Sequence, residues 1–293
     1  MANKASANCV NNEVQKSPER LKVLAKIDEY EKNQWWSKDL EEDPPTIPLE
    51  ADKIDYTRKK LKSKISTYIA NKIGWKFIQD LIKNKQMILS EPEGLENFEA
   101  VKDKGIIMTC NHFNPFDNFA VLVTIDKFLK KHIIWKVIRE GNYTSFPGFY
   151  GYLFRQCNTL PLSSNFSCQK KFMAAVKELL EKKQKILIYA EQGMWWNYKK
   201  PRPVTTGAYR FAVNNNVPVL PFFITMKDTE LIDADGFPVQ EYKVHILPAI
   251  YPDLDKSVKD NIKYMADKNY ELWKEVYEKE YGIPLTYLQK DSE

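Results

Sequence analysis

Gly105-Ile106-Ile107-Met108-Thr109-Cys110-Asn111-His112-Phe113-Asn114-Pro115-Phe116-Asp117 is the stretch on which the fold turns. Its first half is a short apolar run that reads as a buried strand. A turn then presents His112, and Pro115 to Leu129 reads as a helix with Asn114 as its cap and proline at its first position. The same alternation continues outward. Ile133 to Ile138 and Ile186 to Ala190 predict strands, as do Val217 to Thr225 and Glu241 to Leu247. Lys170 to Lys182, Gly207 to Asn214 and Asp255 to Glu280 predict helices. Strands separated by helices imply an α/β fold with a mixed, largely parallel sheet flanked by helices, spanning residues 91–293 as a single domain.

Two segments precede it as an N-terminal helical extension. Residues 1–48 are polar, with a helix expected from Pro18 to Tyr30, and end in the linker Glu41-Glu42-Asp43-Pro44-Pro45-Thr46-Ile47-Pro48. Residues 49–90 predict a basic amphipathic helix, with Ile65, Tyr68, Ile69, Ile73, Phe77, Leu81 and Ile82 at helical spacing among many lysines. That pattern suits either a helix on an anionic membrane surface or one packed on the domain with a solvated lysine face.

Composition narrows the function. A net charge of +5 over 293 residues is too small for a wholesale nucleic-acid binder, and no nucleic-acid motif is present. The start of the chain lacks an apolar signal region, and the cysteines Cys9, Cys110, Cys157 and Cys168 have neither metal nor disulfide spacing. A reducing cytoplasm is the expected compartment. The longest apolar stretch, Val217 to Met226, is far too short to span a bilayer, so work on lipid implies a peripheral position on the inner face of the membrane.

A histidine between a strand end and a helix N-terminus suits a general base, because the helix disfavours the imidazolium and a carboxylate on the other nitrogen fixes the tautomer. Asp117, in the first helical turn, can reach back to orient His112; it also suits the helix dipole with no other role. Glu191 and Gly193 follow the strand Ile186 to Ala190 directly, where α/β sites sit, though a tight turn with a solvated acid reads the same way. Trp195 and Trp196 suit a core, an interface or an acyl-chain groove. Pro218 and Pro221 punctuate a strand that, alone, reads as an edge. No Gly-x-Ser-x-Gly elbow occurs, and Cys110 reads as inert core.

Taken in order, Asn111-His112-x-x-x-x-Asp117, the Glu191–Gly193 turn and Val217-Pro218-Val219-Leu220-Pro221 resemble the 1-acyl-sn-glycerol-3-phosphate (lysophospholipid) acyltransferase family. Glu93-Gly94-Leu95-Glu96-Asn97 and Phe149-Tyr150-Gly151-Tyr152-Leu153-Phe154-Arg155 add to the resemblance. It implies an O-acyltransferase in which His112 activates an acceptor hydroxyl for direct attack on a thioester. The donor would be acyl-CoA or acyl-carrier protein, with no metal and no further cofactor, and Glu191 would help bind the acceptor. Two departures stand out. Ser164 and Met194 occupy positions where the family has phosphate-gripping arginines, leaving Arg155, Lys199, Lys200 and Arg202 as expected substitutes. A non-phosphorylated glycolipid or other lipid hydroxyl is therefore an alternative acceptor, and an inactive lipid-binding or tethering protein is the non-enzymatic alternative.

Overall fold

The computed structural model describes residues 15–40 and 45–289. Cys9, the first part of the expected tail and the acidic start of the linker lie outside the described residues. Seven strands form one sheet in the order β1-β7-β6-β2-β5-β3-β4. Their ranges are β1 (Ile88–Leu89), β2 (Ile106–Thr109), β3 (Trp135–Arg139), β4 (Thr159–Leu162), β5 (Lys185–Ile188), β6 (Val219–Ile232) and β7 (Pro238–Ile246). All neighbours are parallel except the β6–β7 hairpin.

Helices cover both faces, as a parallel sheet requires. Side-chain alternation sorts the strands between two cores. Ile107, Ile186, Ile188, Val219 and Phe223 pack with α7 (Phe166–Glu181), α8 (Gly207–Asn215) and α9 (Val258–Tyr281). Ile106, Met108, Leu187, Leu220, Phe222 and Ile224 face the opposite layer, with Ile78 and Leu81 of α2 (Leu61–Lys83), Phe98 of α3 (Leu95–Glu99) and Phe119 to Leu122 of α4 (Asp117–Ile125).

The strand carrying Pro218 and Pro221 is central, not an edge. Pro218 O accepts from Ile107 N at 3.1 Å, and Pro221 O accepts from Leu247 N at 2.9 Å, beyond the end of β7. Pro221 therefore turns its missing donor away from β2, toward the irregular pairing with the segment after β7.

Residues 15–40 and 45–58 are no free tail. They contain α1 (Pro18–Lys32), capped by Ser17, and cross the carboxyl-terminal edge of the sheet as a strap. Ser17 N and Arg20 bond Asp235 at the β6–β7 hairpin tip. Ile27 and Leu40 are buried with Trp195, and Trp36 stacks on Trp195 at 5.8 Å. Further on, Ile47 N bonds Ser145 Oγ, Leu49 N bonds Glu140 and Tyr56 OH bonds Pro161 O in β4. Between them, α5 (Glu140–Thr144) and α6 (Gly148–Gln156) follow β3.

The basic segment is in part a packed helix and in part an open one. Ala70, Ile78 and Leu81 of α2 are buried, and Asn71 bonds Asn158 at 2.8 Å. Leu61, Ile65, Tyr68, Ile69 and Ile73 remain exposed on its outer side. Trp75 is taken up by stacking on His132 at 4.2 Å.

Candidate active site

β2 and β5 are adjacent and parallel, so the turns that follow them lie side by side. The first carries His112. Asn111, nearly fully buried, fixes where that turn begins: its Nδ2 donates to Ile224 O at 3.0 Å and its Oδ1 accepts from Ile224 N at 2.8 Å, clamping the end of β2 to β6.

The helix then starts two residues later than its proline suggests. Asn114 Oδ1 accepts from Phe116 N at 3.0 Å, closing a local turn, and α4 begins at Asp117. Asp117 serves the His112 turn. Its Oδ2 lies 2.7 Å from His112 Nδ1 and also accepts from Phe113 N at 3.1 Å and Asn114 N at 3.3 Å. A carboxylate accepts only, so Nδ1 carries the proton and Nε2 keeps its lone pair. Asp117 is wholly buried, while the imidazole keeps about a fifth of its surface open.

Tyr189, the first residue after β5, completes the cluster and was not singled out from sequence. Its ring stacks on the imidazole at 3.7 Å, and its hydroxyl donates to Asp117 Oδ1. Burial, then the Asp117 charge, push the Tyr189 phenol well up, so it stays a donor. A polar aromatic ending an apolar strand was the available signal. Burial likewise pushes the Cys110 thiol up, with the Asp117 and Glu191 charges adding to it, which fits an inert core cysteine.

Glu191 lies with His112, but facing inward. Its Oε2 accepts from His112 N at 3.0 Å and Arg202 Nη2 at 2.9 Å, and its Oε1 accepts from Arg202 N at 2.7 Å. Arg202 also donates to His112 O, Trp36 O and Gly193 O. The pair holds the main chain of His112 at both its N–H and its C=O, and neither side chain has a face left for an acceptor. Gly193 is closely covered: a Cβ there would meet Asp39 Oδ1 and Lys38 O, each at 2.9 Å.

Of the other expected acceptor cations, Arg155 is committed inward, whereas Lys199 sits in a solvent-exposed pair. Arg155 donates to Phe146 O at 3.0 Å, inside the α5–α6 corner, and Lys199 pairs with Asp228 on the β6 surface at 3.2 Å. Trp195 and Trp196 are buried, Trp195 against Arg202 and Trp196 against Phe237, so the acyl-groove reading of the pair does not hold. Arg155 and Arg202 share a cause: nearby carbonyls and a carboxylate of the strap and turns take up guanidinium donors before a ligand arrives.

Residues 90–225 match the family model described as Acyltransferase. Over this span the chain is similar to that family. The matched span holds His112, Asp117, Tyr189, Glu191 and Arg202. The fold is similar to the crystal structure of the 1-acyl-sn-glycerophosphate (LPA) acyltransferase PlsC from Thermotoga maritima, at 16% identity and a TM-score of 0.50, covering 92% of this chain and 97% of that one. No curated protein sequence matches this chain.

Among the described residues, Glu93, His245 and Glu280 could bring three metal-binding atoms together. Lys243 bonds both carboxylates and Lys279 pairs with Glu93, so the cluster is an internally neutralised ion-pair network on the β7–α9 side.

Proposed function

We propose that this acyltransferase moves a fatty acyl group from a thioester donor, acyl-CoA or acyl-carrier protein, onto a lipid hydroxyl, with His112 as general base. The observation that carries the reading is the Tyr189–Asp117–His112 arrangement, in which a buried carboxylate fixes the imidazole tautomer and leaves Nε2 free to take a proton. Nε2 accepts the acceptor's hydroxyl proton as its oxygen attacks the thioester carbon. The carbon–sulfur bond then breaks, and the imidazolium returns the proton to the departing thiolate. Asp117 stabilises the imidazolium as it forms and stays ionised throughout. No covalent acyl-enzyme is required.

The expected outcome is that H112A abolishes transfer, and that D117N, folded by circular dichroism, lowers kcat roughly a hundredfold or more. Near wild-type transfer by H112A would end this mechanism.

The lipid setting rests on two features. No helix among the described residues is long and apolar enough to cross a membrane. Leu61, Ile65, Tyr68, Ile69 and Ile73 instead form an exposed apolar strip on α2, with Lys62, Lys72 and Lys76 among them. Such a strip suits the headgroup boundary of an anionic bilayer. It continues inward through Phe77, which meets Phe119, Phe149 and Tyr150, toward Phe116 beside the His112 turn. An acyl chain could follow that tract. Flotation with phosphatidylglycerol vesicles should recover the protein, and I65D/I69D should lose most of that recovery. Equal recovery of both proteins would sink the membrane role of α2.

A phosphate-free acceptor is the second reading. It is favoured by Ser164 and Met194 at the arginine positions and by the inward commitment of Arg155 and Arg202.

A further inference from the structure

β3 carries a charge where its alternation calls for an apolar side chain. Trp135 and Val137 pack on the α7–α8 side, so Lys136 between them turns to the α4 side, where Ile134 is buried. Its register partner is Leu187 of β5, and Tyr189 stands two residues further along that face. Lys136 Nζ donates to Asn118 Oδ1 at 3.2 Å and lies 5.7 Å from the centre of the Phe119 ring. Among the described residues, no carboxylate is in ion-pair contact with it. Burial draws its ammonium below the usual lysine range, against the Cys157 and Asp117 charges that favour it. An ammonium drawn out of water with no carboxylate beside it is costly. The contact with Asn118 leads to the histidine. With Oδ1 taken by the lysine, the Asn118 amide nitrogen donates to Pro115 O at 3.0 Å and faces the Tyr189 hydroxyl, which donates to Asp117 Oδ1. Asp117 Oδ2 in turn holds His112 Nδ1. The other groups around this line add no net charge: burial keeps Tyr189, Cys110, Cys157 and Tyr242 protonated, and Arg202 cancels Glu191.

We propose that Lys136 is a positioning residue: through Asn118 and Tyr189 it supplies the counter-charge of Asp117 and keeps the His112–Asp117 pair able to release the proton it takes up. The inference rests on His112 as general base and adds a residue to that machinery. While the imidazole is neutral, Lys136 balances the Asp117 carboxylate through a line of polarised hydrogen bonds. Once the imidazolium forms, the site carries one surplus positive charge, which favours return of the proton to the thiolate. Without Lys136 the same proton is held more tightly, and the base stays protonated to a higher pH.

The test measures kcat/KM against pH for wild type, K136M and K136R, with acyl-CoA as donor and monoacylglycerol as acceptor. In K136M the acid limb of the profile should move up by about half a unit to one unit, so that activity below the limb falls roughly three- to tenfold. K136R, which restores the charge, should bring the limb back. An equal fall at every pH in folded K136M marks a structural prop, and a rise in KM alone marks a substrate contact; either overturns the inference. Nitrogen-15 NMR of histidine-labelled protein, with His112 assigned by its loss in H112A, follows the same proton without turnover. The pH at which the His112 nitrogen signals change should rise in K136M and return in K136R. That result supports the Lys136 assignment even if no acceptor is acylated, an outcome that would refute only the acyl-transfer reading. Identical titrations in wild type and K136M count against the assignment.

Discussion

Arg202 and Arg139 both meet a carboxylate at the same edge of the sheet, and they are built for opposite ends. The Arg202–Glu191 pair is sealed, with side chains 1% and 2% exposed, and every further bond it makes runs to main chain. The Arg139–Asp39 pair is wet on both sides. A sealed pair loses its hydration and returns stability only while both members and their hydrogen bonds are intact. A wet pair loses little when it opens, and so can exchange partners. Burial thus decides which arginine is sealed scaffold and which stands at the solvent boundary, a distinction that charge alone does not carry.

The contrast breaks most visibly at the sealed pair. R202A should lower stability by about 3–5 kcal/mol in urea denaturation, because Glu191 is left charged and unpaired in the interior. Transfer should fall with it, since His112 loses partners at its carbonyl and near its amide. E191M/R202M sharpens the point by leaving no stranded charge: it should regain part of the stability lost in R202A without regaining turnover. If R202A were as stable as wild type, the scaffold role would be refuted.

R139A is the counterpart at the wet pair, with an expected change of at most about 1 kcal/mol. A loss as large as that of R202A would show that the two pairs do not differ in kind.

The smallest effect belongs to Glu93, whose carboxyl is held down at about 2, chiefly by its hydrogen bond from Lys243. Its folded value lies below its ordinary 4.5, so its contribution is present above that pH and is lost as pH falls toward 2. Glu93 is 44% exposed, so E93Q should lower stability by less than about 1 kcal/mol at pH 7, with the difference vanishing near pH 2. A difference that grows on acidification would reverse the sign of this argument.

The sheet was legible from the sequence because its central strands are short apolar runs with turn residues on both sides, and β2, β5 and β6 lie where those runs fall. The pairing of His112 with Asp117 was legible because both lie in one strand–turn–helix passage. What escaped depends on distant partners. Asn114 reads as a helix cap, yet with Asp117 drawn back to His112 it bonds Phe116 N instead, and the helix starts later. Arg202 reads as an acceptor-binding cation, since nothing local announces a carboxylate eleven residues upstream facing inward. Residues 15–40 read as a tail because their buried members, Ile27 and Leu40, are sparse among charges and meet their partners only across the fold.

Glu31 offers a last consequence. Its buried carboxylate accepts from Lys200 Nζ and, across a separation of 257 residues, from Leu288 N. At translation rates of roughly 5–20 residues per second, about a quarter of a minute or more separates the synthesis of these two partners. The strap must therefore wait, incompletely held, while the sheet assembles beneath it. Maturation of this protein should show a late step, visible as burial of Trp36 after the core has formed, whose timing follows the synthesis of the stretch around Leu288 and not the folding of the His112 turn.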